Sequence, residues 1–269
     1  MLAMGLARLD AARWIEPDSG MACYYRNKLK QRALLGSKVF AALPESVPAQ
    51  VEFRALLLRH LTTDHGADYR REGRDLVLPE LGLRWSLESD EPLWHAGLWI
   101  QDDICLLQDS PEGYRLTAAG LCAASFWRLE EKLGKPLQGI HAPVPGFARK
   151  LAPQVDRFFA HIKSEYPVWR ANWSVVASAD LNQRSDYPTD VRAATPLYLR
   201  VERQALRRLP ETGAVVFSIR VYVHPLRQLR GQEAVWRGLS RAIQALSPAQ
   251  RRYKGVDRVQ PALDALGKP

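Results

Sequence analysis

A chain of 269 residues with 46% hydrophobic and 25% charged side chains has the composition of an ordinary soluble protein with a sizeable core. Its formal net charge is +9, and the basic residues are spread along the chain. They do not alternate with aromatic residues as they do in nucleic-acid-binding modules, so we expect no nucleic-acid partner. The same charge fits an acidic protein partner or anionic cofactor groups.

No segment is predicted to cross a membrane or to direct export. Residues 1–8 lack a sustained apolar region, and the longest largely apolar run, 117–127, is far shorter than the roughly 20 residues that span a bilayer. Cys23, Cys105 and Cys122 are far apart and form no CxxC pair, so we expect neither a disulfide framework nor a zinc site. These features predict a cytoplasmic protein.

Residues 1–80 are predicted to be mostly helical. Apolar residues recur with helical spacing over 23–35 and 51–61. From residue 81 the period becomes that of strands, which we predict over 81–87, 98–108 and 114–122. The segment DSPEG at 109–113 is a strong turn signal, so the last two strands are expected to form a hairpin.

A histidine lies in a stiff loop, GIHAPVPG at 139–146, between the predicted helices 127–133 and 147–163. Each proline fixes its own φ and restricts the residue before it, so the loop itself sets the direction of the His141 imidazole. That suits a metal or cofactor ligand. The alternative is an ordinary helix-breaking loop whose histidine is satisfied by hydrogen bonds.

The rest of the chain is predicted to contain three strands, at 168–176, 198–206 and 215–223, and then helices over 226–260. The predicted chain order is two strands, an inserted helical segment and three strands. This order matches the PAS topology, in which a five-stranded antiparallel sheet forms a pocket with helices inserted after its second strand. We therefore predict an α+β fold in one compact unit, divided into an N-terminal helical extension (1–80), a PAS-like domain (81–225) and a C-terminal helical extension (226–269).

Polar side chains alternate along the last three predicted strands. Those that share a face within each strand are Arg170, Asn172 and Ser174; Arg200, Glu202 and Gln204; and Ser218, Arg220, Tyr222 and His224. Because the strands are neighbours, we expect these residues to line one pocket. The alternative is the solvated face of a half-exposed sheet.

Nine segments in order carry a likeness to a known family. They are MGLARLD at 4–10 with Trp14, DICLLQ at 103–108, YRLTAA at 114–119, KLGKPL at 132–137, IHAPVP at 140–145, RANWS at 170–174, LRVERQ at 199–204, LRRLP at 206–210 and FSIRVY at 217–222. In these segments the chain resembles the haem-dependent oxidative N-demethylase family, of the haem-binding alpha-subunit type, over most of its length.

The resemblance implies a PAS-like domain that binds haem b and oxidises dimethylamine to methylamine and formaldehyde with O2. In that family the electrons come from NADPH through FMN and 2Fe-2S centres on other subunits. This chain has no GxGxxG, no cysteine cluster and no flavin motif, so it is expected to be the haem component of a complex with reductase subunits.

Within that reading, His141 is the expected axial ligand of the haem iron, with His161 at the end of the helix before the third strand as its rival. A polar residue favoured by the helix dipole is the plainer interpretation of His161. Arg170 or Arg200 is expected to pair with a haem propionate.

The remaining expected site residues act on oxygen and substrate. Arg220, Tyr222 and Asn172 are expected to polarise O2 at the iron, and Glu202 to hold the substrate ammonium, which needs a carboxylate partner where it is desolvated. Two alternatives stay open: a non-enzymatic PAS-type sensor that binds O2, NO or CO at haem, and a small-ligand-binding protein that has kept the fold without haem.

Overall fold

The computed structural model describes residues 4–184 and 190–267, apart from the side chain of Lys150. The first three residues of the predicted N-terminal extension and the last two of the C-terminal extension lie outside this range. Among the described residues, no helix has the length and apolar content needed to cross a membrane.

The first part of the chain mixes helices with short strands. In order these are β1 (Ala7–Arg8), α1 (Met21–Leu35), β2 (Phe40–Ala42), α2 (Val47–Asp64), β3 (Arg70–Glu72), β4 (Asp75–Leu78), β5 (Leu83–Ser86) and α3 (Pro92–Gly97). Strands β3, β4 and β5 form a small antiparallel sheet of their own. The predicted strand at 81–87 is therefore present, but it belongs to this separate sheet.

The second part carries the long strands. Its elements are β6 (Asp103–Gln108), β7 (Arg115–Gly120), α4 (Leu137–Ile140), α5 (Phe147–Lys150), α6 (Ala152–His161), β8 (Val168–Val176), β9 (Tyr198–Arg208), β10 (Val215–Pro225), α7 (Leu226–Leu229), α8 (Glu233–Gln244), α9 (Pro248–Tyr253) and α10 (Val256–Ala265).

The main sheet has seven strands in the order β1-β8-β9-β10-β6-β7-β2, and every neighbouring pair is antiparallel. The predicted α+β class is confirmed. The sheet has seven strands where five were predicted, because the short strands β1 and β2 from the N-terminal region pair with β8 and β7 at its two edges. Isolated pairs of this length give almost no periodic signal in a sequence.

Three predicted elements have different bounds. The strand expected at 98–108 begins only at Asp103, because α3 and the turn after it occupy the preceding residues. The helix expected at 127–133 is a single 3-10 turn, Leu129–Glu131. The helix expected at 147–163 is divided into α5 and α6, with Pro153 in the first turn of α6.

The two faces of the main sheet are covered by different parts of the chain. We call the face that carries Arg170, Glu202 and Phe217 the insertion face, since α4, α5 and α6 pack on it. The opposite face, with Arg203 and Arg220, is the N-terminal face. The segments before β6 cover most of it, and α7, α8 and α10 cover its far end beside β8 and β9.

A buried lysine fixes the segment that leads into β6. The Lys28 Nζ donates hydrogen bonds to the backbone carbonyls of Gly97 at 2.6 Å, Ile100 at 3.0 Å and Asp102 at 2.5 Å. Its side chain is fully enclosed, and burial lowers its pKa. Asp102 and Asp103 lie nearby and favour the charged form. Lys28 thus ties α1 to the start of β6.

Replacing this lysine is expected to destabilise the protein. Lys28→Met leaves three carbonyls without a donor and removes one of the cations near the buried carboxylates of Asp102 and Asp103, so we expect a loss of about 3 kcal/mol or more in the free energy of unfolding. Urea denaturation followed by circular dichroism measures it. Lys30→Met, at an exposed position of the same helix, is the matched control. Equal stability of the two variants would contradict the anchoring role.

Candidate functional site

The loop after α4 holds His141 in one orientation. Its Nδ1 lies 2.8 Å from the carbonyl oxygen of Leu137, and its ring stacks on Phe147 with a centroid distance of 4.5 Å. A carbonyl can only accept, so Nδ1 carries the proton and the neutral ring has its lone pair on Nε2. Among the described residues Nε2 has no hydrogen-bond partner. This is the tautomer that a metal-ligating histidine needs.

The environment of His141 favours that neutral state. Burial lowers the pKa of the imidazole, and the cations Arg170 and Lys132 lower it further, against the raising effect of the hydrogen bond to Leu137. The residues Ile140 and Phe147, on either side of the loop, belong to the apolar clusters that pack on the insertion face of the sheet.

Polar side chains on β8 and β9 meet on that face. The register places Arg170 opposite Gln204, Asn172 opposite Glu202, and Ser174 opposite Arg200. Because directly opposed residues point to the same side of an antiparallel sheet, these six side chains form one patch. The sequence prediction that polar residues of these two strands share a pocket face is therefore consistent with the register.

Glu202 is the centre of this patch. Its Oε2 accepts hydrogen bonds from Asn172 Nδ2 at 3.3 Å and from Gln204 Nε2 at 2.9 Å. Its Oε1 lies 3.7 Å from the Nε of Arg200. One carboxylate oxygen thus accepts two hydrogen bonds from amides, while the other accepts none from a described residue and lies 3.7 Å from the Arg200 guanidinium.

The C-terminal region reaches the same patch through Lys254, directly after α9. The Lys254 Nζ donates to Asn172 Oδ1 at 3.0 Å and to the carbonyl of Trp173 at 2.5 Å. Burial lowers the pKa of this lysine; nearby Glu202 raises it and nearby Arg170 lowers it. Sequence reasoning missed Lys254, because it lies some 80 residues from its partner, in a turn between two helices with no distinguishing motif.

The two arginines of the patch differ in their bonding. Arg200 is fully buried and donates to the carbonyls of Ala123 and Leu181, the latter at 2.9 Å. Asp103 and Glu202 both favour its charged state. Arg170 is half-buried and makes no hydrogen bond or ion pair with any described residue. Arg200 is thus a fixed structural cation, whereas Arg170 is available to a ligand.

The other half of the insertion face is apolar. Phe217 and Ile219 on β10 pack with Cys105 on β6, and Trp127 and Ile140 close over them. Next to the charged patch, this gives a surface that is apolar at one end and cationic at the other. Such a surface suits a large amphipathic ligand with anionic groups.

Arg220 and Tyr222 lie on the opposite face of the sheet. Glu202 is paired with Val221, so residues 220 and 222 point away from it. The expected convergence of three strands on one pocket is corrected here: period two sorts the side chains within a strand, but the phase between strands depends on a register that the sequence pattern does not specify.

On that N-terminal face, Arg220 contacts the N-terminal segment, while its Nε and Nη1 have no hydrogen-bond partner among the described residues. Its Nη2 donates to Asp18 at 2.7 Å, and its guanidinium lies over the Tyr24 ring, 4.0 Å from the centroid. The Tyr222 hydroxyl donates to Glu16 at 3.2 Å. These contacts attach the N-terminal segment to β10.

His161 is exposed at the end of α6, with Nδ1 2.8 Å from the carbonyl of Arg157. It is not enclosed by the sheet as His141 is.

A comparison with protein families gives one match. The family model described as haem-dependent oxidative N-demethylase, alpha subunit-like, matches residues 5–264. The match extends from β1 to the end of α10, so it includes His141, the charged patch and Lys254.

The contrast between the two arginines can be measured. Arg200→Met removes a fully buried cation, leaves two carbonyls without their donor and takes a positive charge away from Glu202, so we expect it to lower the free energy of unfolding by about 3 kcal/mol. Arg170→Met is expected to change it by less than about 1 kcal/mol. Urea denaturation of both variants tests this. A similar loss in both would show that Arg170 is also structural.

Proposed function

Because the chain belongs to the haem-dependent oxidative N-demethylase alpha-subunit-like family, we propose that it is the haem-binding component of an oxidase that demethylates a small secondary amine such as dimethylamine. The observation that carries this proposal is His141, whose lone pair on Nε2 is presented by a rigid loop beside a surface that is apolar at one end and cationic at the other. Haem b when bound supplies the O2 activation and electron uptake that amine oxidation needs.

The described residues fit such a group. Nε2 of His141 is the proposed axial ligand, in preference to the exposed His161. Phe217 and Ile219, which are only partly buried, offer apolar surface for the porphyrin. Of the two arginines predicted for a propionate, we propose Arg170, because Arg200 is already committed to backbone carbonyls.

The substrate ammonium is proposed to bind Glu202. Its Oε2 is occupied by two amide donors, so Oε1 is the oxygen that can accept a hydrogen bond from the amine. Asn172, from the predicted oxygen-polarising group, orients this carboxylate. Arg220 and Tyr222 are left out of the proposal, because they lie on the other face of the sheet.

We further propose that the five long strands, in the order β8-β9-β10-β6-β7, are a PAS-like unit. The helices α4, α5 and α6 are inserted after β7, its second strand, and pack on one face. The electron donors, NADPH, FMN and a 2Fe-2S centre, are proposed to belong to partner reductase subunits, and the net charge of +9 suits an acidic partner of this kind.

The axial ligand is tested by spectroscopy of the haem-reconstituted protein. We expect wild type and His161→Ala to share the same Soret maxima in the oxidised, reduced and CO-bound states. His141→Ala is expected to lose this histidine-ligated spectrum, because no other described imidazole is presented to this surface. An unchanged spectrum in His141→Ala would reject the ligand, and no Soret shift in wild type would reject the haem proposal.

The substrate role of Glu202 is tested by titrating the haem-loaded protein with dimethylammonium chloride in a calorimeter. Glu202→Gln is expected to weaken binding about tenfold, since a neutral amide cannot attract the ammonium charge, while the haem spectrum stays unchanged. Glu165→Gln, at an exposed position before β8, is the control. Equal affinities in the two variants would remove Glu202 from the substrate site.

A further inference from the structure

Two half-buried cations of the insertion face lack an anionic partner. Neither Arg170 nor Lys254 forms an ion pair with any described residue. The carboxylate that interacts electrostatically with both cations is that of Glu202. That carboxylate is already bonded by Asn172 and Gln204 and lies beside Arg200. The patch therefore carries more positive than negative charge.

Lys254 is held so that its ammonium faces this patch. Two of its three N–H donors are used, on Asn172 Oδ1 and on the carbonyl of Trp173. Its ammonium also lies over the Trp173 ring, 4.9 Å from the centroid. These acceptors are neutral, so they orient the charge without balancing it. The third N–H remains for an anion.

A partly desolvated cation without a counter-ion is costly, and two such cations on one face favour a ligand with two anionic groups. The apolar wall beside them requires the rest of that ligand to be large and apolar. A porphyrin with two propionates has this distribution of charge.

We infer that Lys254 is the second propionate-binding residue, and that Arg170 and Lys254 each take one carboxylate of the haem. This inference rests on the proposed function. It gives the C-terminal extension a direct part in cofactor binding, because Lys254 lies between α9 and α10. Since the two haem propionates neutralise Arg170 and Lys254, the negative charge of Glu202 remains for the substrate ammonium.

The experiment compares haem b with haem b dimethyl ester, whose propionates are neutral. Each is titrated into the purified apoprotein, and Kd is obtained from the Soret absorbance. We expect wild type to bind haem b at least about tenfold more tightly than the ester. Lys254→Met should weaken the binding of haem b about tenfold and leave the affinity for the ester unchanged. Arg170→Met should do the same.

Two further variants separate recognition from folding. Lys254→Arg keeps the positive charge and should retain the preference for haem b. Lys30→Met, at an exposed position of α1, should behave as wild type. Thermal unfolding of each apoprotein checks that the variants are folded.

Three outcomes would overturn the inference. Wild type that binds both ligands equally would show that no carboxylate is recognised. A Lys254→Met variant that loses affinity for both ligands alike would show that the lysine only supports the fold, and one that loses none would show that it has no role. Wild type that binds neither ligand would reject the proposed function itself, and the propionate site with it.

Discussion

The antiparallel pairing of β8, β9 and β10 is the constraint on which the rest of the molecule depends. β9 and β10 pair over eleven residues and β8 and β9 over nine, so the direction of every side chain on these strands is set by register alone. Arg170, Asn172, Arg200 and Glu202 consequently share one face. Arg220, between Ile219 and Val221, must point to the other. A shift of one residue in the pairing would move each set of side chains to the opposite face. Charged side chains would then point at the apolar residues that pack there.

Buried cations in this structure fall into two classes according to their partners. Lys28, Arg200 and Arg203 donate to backbone carbonyls, which fixes segments of irregular chain against the sheet. Their donors serve the fold. Arg170 and Lys254 are less buried and have no carboxylate partner of their own, so their charge remains available. Burial alone does not distinguish a structural cation from a binding one. Lys254 donates to a backbone carbonyl as Lys28 does, but one of its three N–H donors has no partner among the described residues.

The sequence predicted where the long strands and the His141 loop lie along the chain. Both have local signals: polar and apolar residues alternate over 168–176 and 215–223, and prolines lie around the histidine. The short edge strands β1 and β2 have no such signal, because their pairing is decided by tertiary contacts. Which residues of β9 and β10 share a face was not predictable either, because this depends on the register in which the two strands pair. Lys254 meets Asn172 only after α8, α9 and α10 fold back along β8, a contact that no local pattern encodes.

The C-terminal extension contacts both faces of the sheet, one through its helices and the other through Lys254. Its helices bury Leu226, Val256 and Leu263 against Val175 and Leu199 on the N-terminal face, yet Lys254 turns around β8 to the insertion face. At Asn172 and Trp173, β8 lies beyond its short pairing with the edge strand β1, which involves only Val168 and Trp169. The apolar contacts therefore decide where the extension packs, while the lysine places one charge on the opposite side of β8. Loss of the apolar packing would displace the ammonium from Asn172, so the polar patch depends on a core that it does not touch.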